Sequence, residues 1–115
     1  MSSSTHTWKV VEIDGSILKD TNSFHKEIKF KFGFPEYYGM NLDALEECIL
    51  DLNEPGISRN FRLTKNEELV VRINDASIFM NLNAALFEEF LKIIIDANKH
   101  WKESGSYSRI LIELI

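Results

Sequence analysis

The chain has 115 residues, of which 44% are hydrophobic and 27% are charged, and its formal net charge at pH 7 is −5. This length and composition fit one domain that buries a core without disulfides or metals. One cysteine excludes an internal disulfide, and with three scattered histidines it offers none of the spacings of a zinc site. The acidic balance argues against a nucleic-acid partner and favours a basic protein, because phosphate neutralisation needs clustered Lys and Arg.

The first residues predict a polar tail followed by one folded unit. We expect residues 1–7 to be flexible and residues 8–115 to form a single domain. The tail lacks the basic-then-apolar order of a signal peptide, and no apolar run approaches the roughly 20 residues of a membrane span. We therefore expect a cytoplasmic protein, monomeric when free, with no membrane partner and no cofactor.

The first half of the chain predicts one strand followed by two helices. Residues 8–13 have the composition of a strand and end at an Asp-Gly turn. Asp20 or Asn22 can cap the next helix, whose apolar residues recur every four positions, and Gly33 is a typical end for it. A second helix begins after the N-cap residue Asn41. Its apolar face comprises Leu42, Leu45, Cys48, Ile49 and Leu52, and four acids line the opposite side, namely Asp43, Glu47, Asp51 and Glu54.

The second half predicts two more strands and a long helix. Residues 69–73 suit a buried parallel strand, and a short turn or helix follows. The long helix starts at Asn81 or Asn83, carries an apolar stripe and ends before Gly105. Its stripe comprises Leu86, Phe87, Phe90, Leu91, Ile94, Ala97 and Trp101. Residues 110–115 form the last strand, so the pattern predicts an α/β fold with a parallel sheet.

Residues 57–68 are the least clear segment. They carry three basic residues, Arg59, Arg62 and Lys65. The alternation at residues 60–63 suits an edge strand or a hairpin arm as well as it suits a plain loop. Both alternatives stay open.

An aromatic turn leads directly into the capped second helix. Pro35 restricts φ, Gly39 permits a close backbone approach, and Tyr37 and Tyr38 offer large amphipathic surfaces that lose little rotamer freedom on binding. From Phe32 to Ser58 there are six acids and no Lys or Arg. Since like charges four residues apart destabilise a helix by about 0.2–0.5 kcal/mol, this pattern indicates a docking surface rather than a sequence chosen for helix stability.

The order Pro-Glu-Tyr-Tyr-Gly, Asn-Leu-Asp-Ala-Leu and then a lone cysteine, within residues 34–48, resembles the signature of the barstar family. Members of this family are intracellular inhibitors of secreted bacterial ribonucleases. Weaker similarity in element order extends over residues 10–114. The resemblance implies three parallel strands with helices packed around them, and a shorter connection than residues 57–68.

The resemblance also implies which residues face the ribonuclease: Tyr37, Gly39, Asn41, Leu42, Asp43 and Glu47. It makes Tyr38 the more buried ring. Glu46 and Asp51, on the same acidic helix, complete the predicted surface there. The family uses a further acid on its last long helix, where an acid-alanine pair favours Asp96 and the spacing to Gly105 favours His100.

The implied mechanism is occlusion of the nuclease active site. The Glu47 carboxylate would take the place of a substrate phosphate, while Tyr37 covers an active-site ring or a backbone edge. The chain departs from the family pattern, which has Asp where Glu47 stands and Trp where Glu46 and Leu52 stand. These departures concern the identity of the target more than the mode of inhibition.

Two other functions compete with this interpretation. An immunity or regulatory protein could use the same scaffold against a different toxin or a non-nuclease partner. An enzyme could use Asp43 and Glu47 as paired carboxylates, but the sequence has no Gly-rich phosphate loop, no nucleophile motif and no metal-ligand spacing. We therefore expect no catalytic residues, and a basic extracellular ribonuclease or related toxin as the partner.

Overall fold

A computed structural model describes residues 7–64 and 67–115. Along this part of the chain, two helices separate each strand from the next. In order, the elements are β1 (Thr7–Asp14), α1 (Thr21–Phe32), α2 (Leu42–Leu50), β2 (Glu67–Asn74), α3 (Ala76–Leu82), α4 (Ala84–Glu103) and β3 (Arg109–Leu114). Single 3₁₀ turns follow β1 at Gly15–Ile17 and α2 at Asp51–Asn53.

The strands form one parallel sheet in the order β1-β2-β3, which confirms the predicted α/β fold. In register, Ile13 lies beside Ile73, and Leu69 lies beside Ile110. One face of the sheet is buried under the helices, and its residues include Val11, Ile13, Leu69, Val71, Ile73 and Ile110. The other face meets solvent, with Val10 and Leu111 exposed. This alternation follows from the period of two of a strand that is covered on one side only.

The first strand starts one residue earlier than predicted. Thr7 belongs to β1, where its partner is Glu67, although the predicted tail included it. Residues 1–6 of that tail lie outside the described residues. None of the helices in the described part of the chain has the length and apolarity that a membrane crossing requires.

Local capping chemistry sets the helix ends, as predicted. Asp20, rather than Asn22, caps α1: its carboxylate accepts a hydrogen bond from the Ser23 backbone N–H (2.8 Å), and Ser23 Oγ accepts one from the Asp20 N–H (3.2 Å). Gly33 ends α1 in the left-handed region, with φ +68°. Asn83, rather than Asn81, caps α4, because its Oδ1 accepts from the Leu86 N–H at 3.1 Å. Two local interactions therefore decide between the alternatives that the sequence left open.

Aromatic side chains of α1, α3 and α4 form the centre of the core. Phe24 lies between Phe79, at a ring-centroid distance of 6.0 Å, and Phe90, at 5.5 Å. The predicted stripe of α4 is buried except for Leu91, which is half-buried. Ile93 is buried as well. The buried face of α4, which contacts α2, α3 and β3, is therefore wider than the predicted stripe.

Residues 57–64 form an irregular loop, so of the two alternatives that the sequence left open the plain loop is the one found in this described segment. Lys65 lies outside the described residues. Leu63 is completely buried, and its N–H donates to the Leu52 carbonyl at 2.9 Å. Arg62 Nε donates to the Asn53 carbonyl at 2.8 Å. The loop is therefore attached to the 3₁₀ turn after α2 by the buried Leu63 side chain and by two hydrogen bonds to backbone carbonyls.

We expect Trp101→Ala to lower the free energy of unfolding by about 3–5 kcal/mol, because truncating a buried aromatic residue leaves a cavity. The Trp101 side chain is 2% exposed, and its indole N–H has no hydrogen-bond partner among the described residues. Trp101→Phe should therefore cost less. Ile95→Ala, on the exposed side of the same helix, is the control and should change stability by no more than about 0.5 kcal/mol. An unchanged denaturation midpoint for Trp101→Ala would contradict the assignment of the stripe.

Candidate partner-binding site

The two adjacent tyrosines of the aromatic turn have opposite environments. Tyr37 is 75% exposed, whereas Tyr38 is 4% exposed. The Tyr38 N–H donates to the Pro35 carbonyl at 2.9 Å, and the Tyr38 ring packs against Phe34 with a centroid distance of 5.2 Å. Tyr38 is therefore the buried ring that the resemblance implied, and the turn presents Tyr37 to solvent.

His25 of α1 holds the hydroxyl of Tyr38. Its Nδ1 lies 2.5 Å from the Tyr38 Oη, and its side chain is completely buried. Burial lowers the pKa of His25 and raises the pKa of Tyr38, so both groups are neutral at pH 7. The His25 Nε2 has no hydrogen-bond partner among the described residues. Sequence reasoning did not find this contact, although His25 directly follows the core residue Phe24.

We expect stability to fall as the pH is lowered from 7.5 to 6, and His25 to account for part of the fall. Its pKa in the folded chain lies below the ordinary value of 6.5, so the unfolded chain takes up the proton first. The stability that neutral His25 contributes is therefore complete above pH 6.5 and is lost as the pH falls through the folded-state pKa.

The measurement is the urea midpoint at both pH values for the wild type, for His25→Gln and for His100→Gln. His25→Gln keeps a polar side chain but removes the titration, so its midpoint should depend less on pH. His100→Gln removes an exposed histidine of α4 and should retain the wild-type dependence. Equal pH dependence in the wild type and His25→Gln would refute this role.

The start of α2 is fixed by Asn41 and by the two residues before it. Asn41 Oδ1 accepts from the Ala44 N–H at 2.8 Å, and its Nδ2 donates to the Gly39 carbonyl at 3.2 Å. A Cβ added at Gly39 would lie 3.3 Å from both Ala44 Cβ and Asn41 Nδ2. Met40 occupies the left-handed region, with φ +57°. The Asn41 side chain is exposed while it forms this cap, so a partner can reach it.

The outer face of α2 exposes four carboxylates, at Asp43, Glu46, Glu47 and Asp51. None of them forms an ion pair with any residue in 7–64 or 67–115. Leu45, Cys48, Ile49 and Leu52 are buried on the inner side, and Leu42 is half-buried at the rim. Burial raises the pKa of the Cys48 thiol, and the negative charges of Asp51 and Glu47 add to this effect. We refer to the four carboxylates of Asp43, Glu46, Glu47 and Asp51 as the acidic face.

The two candidates on the last helix are both accessible. Asp96 and His100 lie one turn apart on α4 and are exposed. Since α2 packs against α4, both candidates belong to a helix that neighbours the acidic face. Among the described residues, no group of three or more His, Cys, Asp or Glu side chains could hold a metal ion.

Basic residues lie on the other side of the aromatic turn. Lys29 Nζ lies 3.2 Å from a Glu36 carboxylate oxygen, and Arg59 of the loop lies 3.4 Å from the other. The hydrogen bond and charge of Lys29, followed by those of Arg59, lower the pKa of Glu36. Sequence analysis did not connect Arg59 with the site, because 23 residues separate it from Glu36.

A family model described as Barstar (barnase inhibitor) matches residues 8–113. The chain belongs to the barstar family. This barstar-family chain is also 35% identical over 88 residues to the putative ribonuclease inhibitor YrdF of Bacillus subtilis (strain 168). That match covers 73% of this chain and 94% of the relative.

Proposed function

We propose that this barstar-family protein inhibits a basic secreted ribonuclease by blocking the active site of the enzyme with α2 and the aromatic turn. The family match and the inhibitor-named relative support a ribonuclease-inhibitor-like role. The observation that carries the finer proposal is the acidic face, whose four exposed carboxylates have no ion-pair partner among the described residues, next to the exposed ring of Tyr37. Such a surface suits a cationic partner.

In this proposal Glu47 enters the nuclease active site. Its carboxylate takes the position of a substrate phosphate and accepts charge-assisted hydrogen bonds from the cationic groups that bind the phosphate. Tyr37 packs over the rim of the active site, where a rigid aromatic ring contributes contact area at a low cost in conformational entropy. Inhibition is therefore steric and electrostatic, and no bond is made or broken.

The remaining predicted contacts would extend this surface on both sides of Glu47. Gly39 and Asn41 offer a small residue and an exposed amide at the start of α2, and the rim residue Leu42 adds apolar area. Asp43, Glu46 and Asp51 supply negative charge along the helix, and Asp96 or His100 adds a contact from α4. We place the protein in the cytoplasm as a monomeric single domain of residues 8–115, in keeping with the intracellular role of the family.

The position of Glu46 favours one alternative. Glu46 is exposed on the acidic face, whereas the family pattern has Trp there. Replacing a large ring by a charge changes the partner surface that fits. The second candidate is therefore an immunity or regulatory protein directed at a different toxin through the same helix. An enzyme finds less support, because Asp43 and Glu47 lie exposed on the outer face of a helix, whereas catalytic groups usually line a concave site.

The direct test is an RNA cleavage assay with a basic secreted ribonuclease of the source organism, titrated with this protein. We expect cleavage to fall in proportion to the inhibitor added, and to stop at equimolar protein. Binding without inhibition would favour the alternative target. A hydrolytic activity of the purified protein that disappears in Glu47→Ala would overturn the inhibitor proposal.

Glu47→Ala should change stability and affinity in opposite directions. The free protein should gain from a few tenths to about 1 kcal/mol, because the variant removes repulsion from Asp43 and Asp51 and introduces the best helix former. Affinity for the ribonuclease should fall by about 2 kcal/mol or more, since the partner's cations would be left desolvated and unpaired. This is the general magnitude for interface hot spots, of which the barstar family supplies a well-known example.

A thermal melt and a binding titration measure these two effects. Glu103→Ala is the matched control, because Glu103 is an exposed acid at the end of α4 and outside the predicted site. It should leave affinity unchanged. A Glu47→Ala variant that melts earlier and binds normally would show that Glu47 is structural.

Association should be fast at low salt and should slow steeply as salt is added. The acidic face attracts a basic nuclease over a distance that screening shortens to about 8 Å at physiological ionic strength. The dissociation rate should depend much less on the salt concentration, since contacts that are buried in the complex are screened weakly. Stopped-flow association rates that stay constant while the salt concentration rises about tenfold would contradict electrostatic steering.

A further inference from the structure

A groove of about 510 Å³ runs beside the aromatic turn, between α1 and the loop of residues 57–64. Its apolar lining comes from Phe30, Phe34 and Met40. Phe30 is 75% exposed, which is unusual for a phenylalanine. We call this feature the basic groove because of the charged residues that line it.

Three cations line the basic groove, Lys26, Lys29 and Arg59, against one carboxylate, that of Glu36. Glu36 is shared between Lys29 and Arg59, and Lys26 forms no ion pair within residues 7–64 and 67–115. The groove therefore has two positive charges in excess. This excess lies beside the acidic face of a protein whose net charge is −5, so the surface around Tyr37 has a negative side and a positive side.

The loop that supplies Arg59 is fixed to the end of α1. The Arg59 N–H donates to the Gly33 carbonyl at 2.8 Å, and the flanking side chains of Ser58 and Asn60 donate to the carbonyls of Phe32 at 2.6 Å and Lys31 at 3.1 Å. A Cβ at Gly33 would meet Asn60 Cγ at 2.9 Å, so glycine is needed for this close approach. The backbone of Arg59 is thus held in place before any partner binds, which reduces the entropy cost of a contact.

The basic groove is continuous with the proposed nuclease-binding surface. Glu36 directly precedes Tyr37, and Met40 directly precedes Asn41. A nuclease that contacts Tyr37 and α2 therefore also covers the edge of the groove.

We propose that the basic groove binds an acidic side chain of the same nuclease, an Asp or Glu outside the cationic active site. Its carboxylate would lie between Arg59 and the two lysines, and its aliphatic part would contact Phe30. This inference rests on the proposed function. It makes Arg59 a specificity-determining residue, because a nuclease with a basic side chain at the matching position would be repelled.

Arg59→Ala and Arg59→Glu test this inference against the purified basic ribonuclease that the wild-type protein inhibits. We expect the dissociation constant to rise about tenfold for Arg59→Ala and further for Arg59→Glu, since close charge pairs at interfaces couple by about 1.5 kcal/mol or more. Arg59→Lys should retain part of the affinity. Lys92→Glu, an equal charge change at an exposed position of α4, is the matched control and should have a smaller effect. Melting temperatures identify any variant whose loop has loosened.

A double-mutant cycle identifies the partner residue. Replacing each surface Asp and Glu of the nuclease by Ala should reveal one for which Arg59→Ala has no additional effect, and reversing that residue to Lys should restore binding to Arg59→Glu. The groove inference is overturned if Arg59→Ala and Arg59→Glu bind like the wild type, or if Arg59→Glu binds more tightly. If Glu47→Ala loses affinity in the same experiment, the proposed function stands. If Glu47→Ala also binds normally, the proposed function itself fails.

Discussion

The burial of Tyr38 is the constraint on which the proposed binding surface depends. Its ring fills the space against Phe34, and its hydroxyl bonds to His25, so the turn has one orientation. Because neighbouring residues of a tight turn point to different sides, Tyr37 is then directed outward. The same turn leads to the Asn41 cap, which sets where α2 begins. The exposed ring and the acidic face therefore have a fixed relation that originates in the core.

This arrangement places a polar pair in an aromatic environment. A buried imidazole and phenol form their hydrogen bond in only one relative orientation, whereas two apolar side chains could pack in several. The Nε2 of His25, which has no hydrogen-bond partner among the described residues, is the unfavourable part of this arrangement. α2 also combines an unfavourable interaction with a favourable one. Its exposed carboxylates repel one another, while its inner face packs against the core. The stability of this helix comes from Leu45, Ile49 and its cap, and not from its charges.

The sequence predicted the features whose chemistry is local. Asp20, Gly33, Asn41 and Asn83 each act on neighbours within four residues. A single sequence therefore identifies the helix ends at Gly33 and Asn41 and limits each of the other two helix starts to two candidates. Strand composition and alternating helices likewise predicted the parallel sheet. The exposure of Tyr37 and of the carboxylates also agrees with the predicted site, although their contacts with a partner stay predictions.

The features that sequence reasoning missed depend on distant contacts. The alternation at residues 60–63 suits a strand as well as a loop, and the position of the loop is set by hydrogen bonds to α1 across more than 20 residues. His25 lies on a mostly apolar helix stripe, where one polar residue does not reveal whether it has a buried partner. The sequence does not show that Arg59 lies near the candidate site, because only the fold brings it beside Glu36. Pairing across the fold is information that composition and spacing do not contain.

The buried thiol of Cys48 is an internal reporter for the opening of α2. Burial and the neighbouring carboxylates keep this thiol protonated, and a protonated, enclosed thiol reacts slowly with alkylating reagents. Rapid labelling of Cys48 therefore requires α2 to separate from the core. The rate at which an added reagent modifies this single cysteine measures how often the helix opens in solution, without any engineered probe.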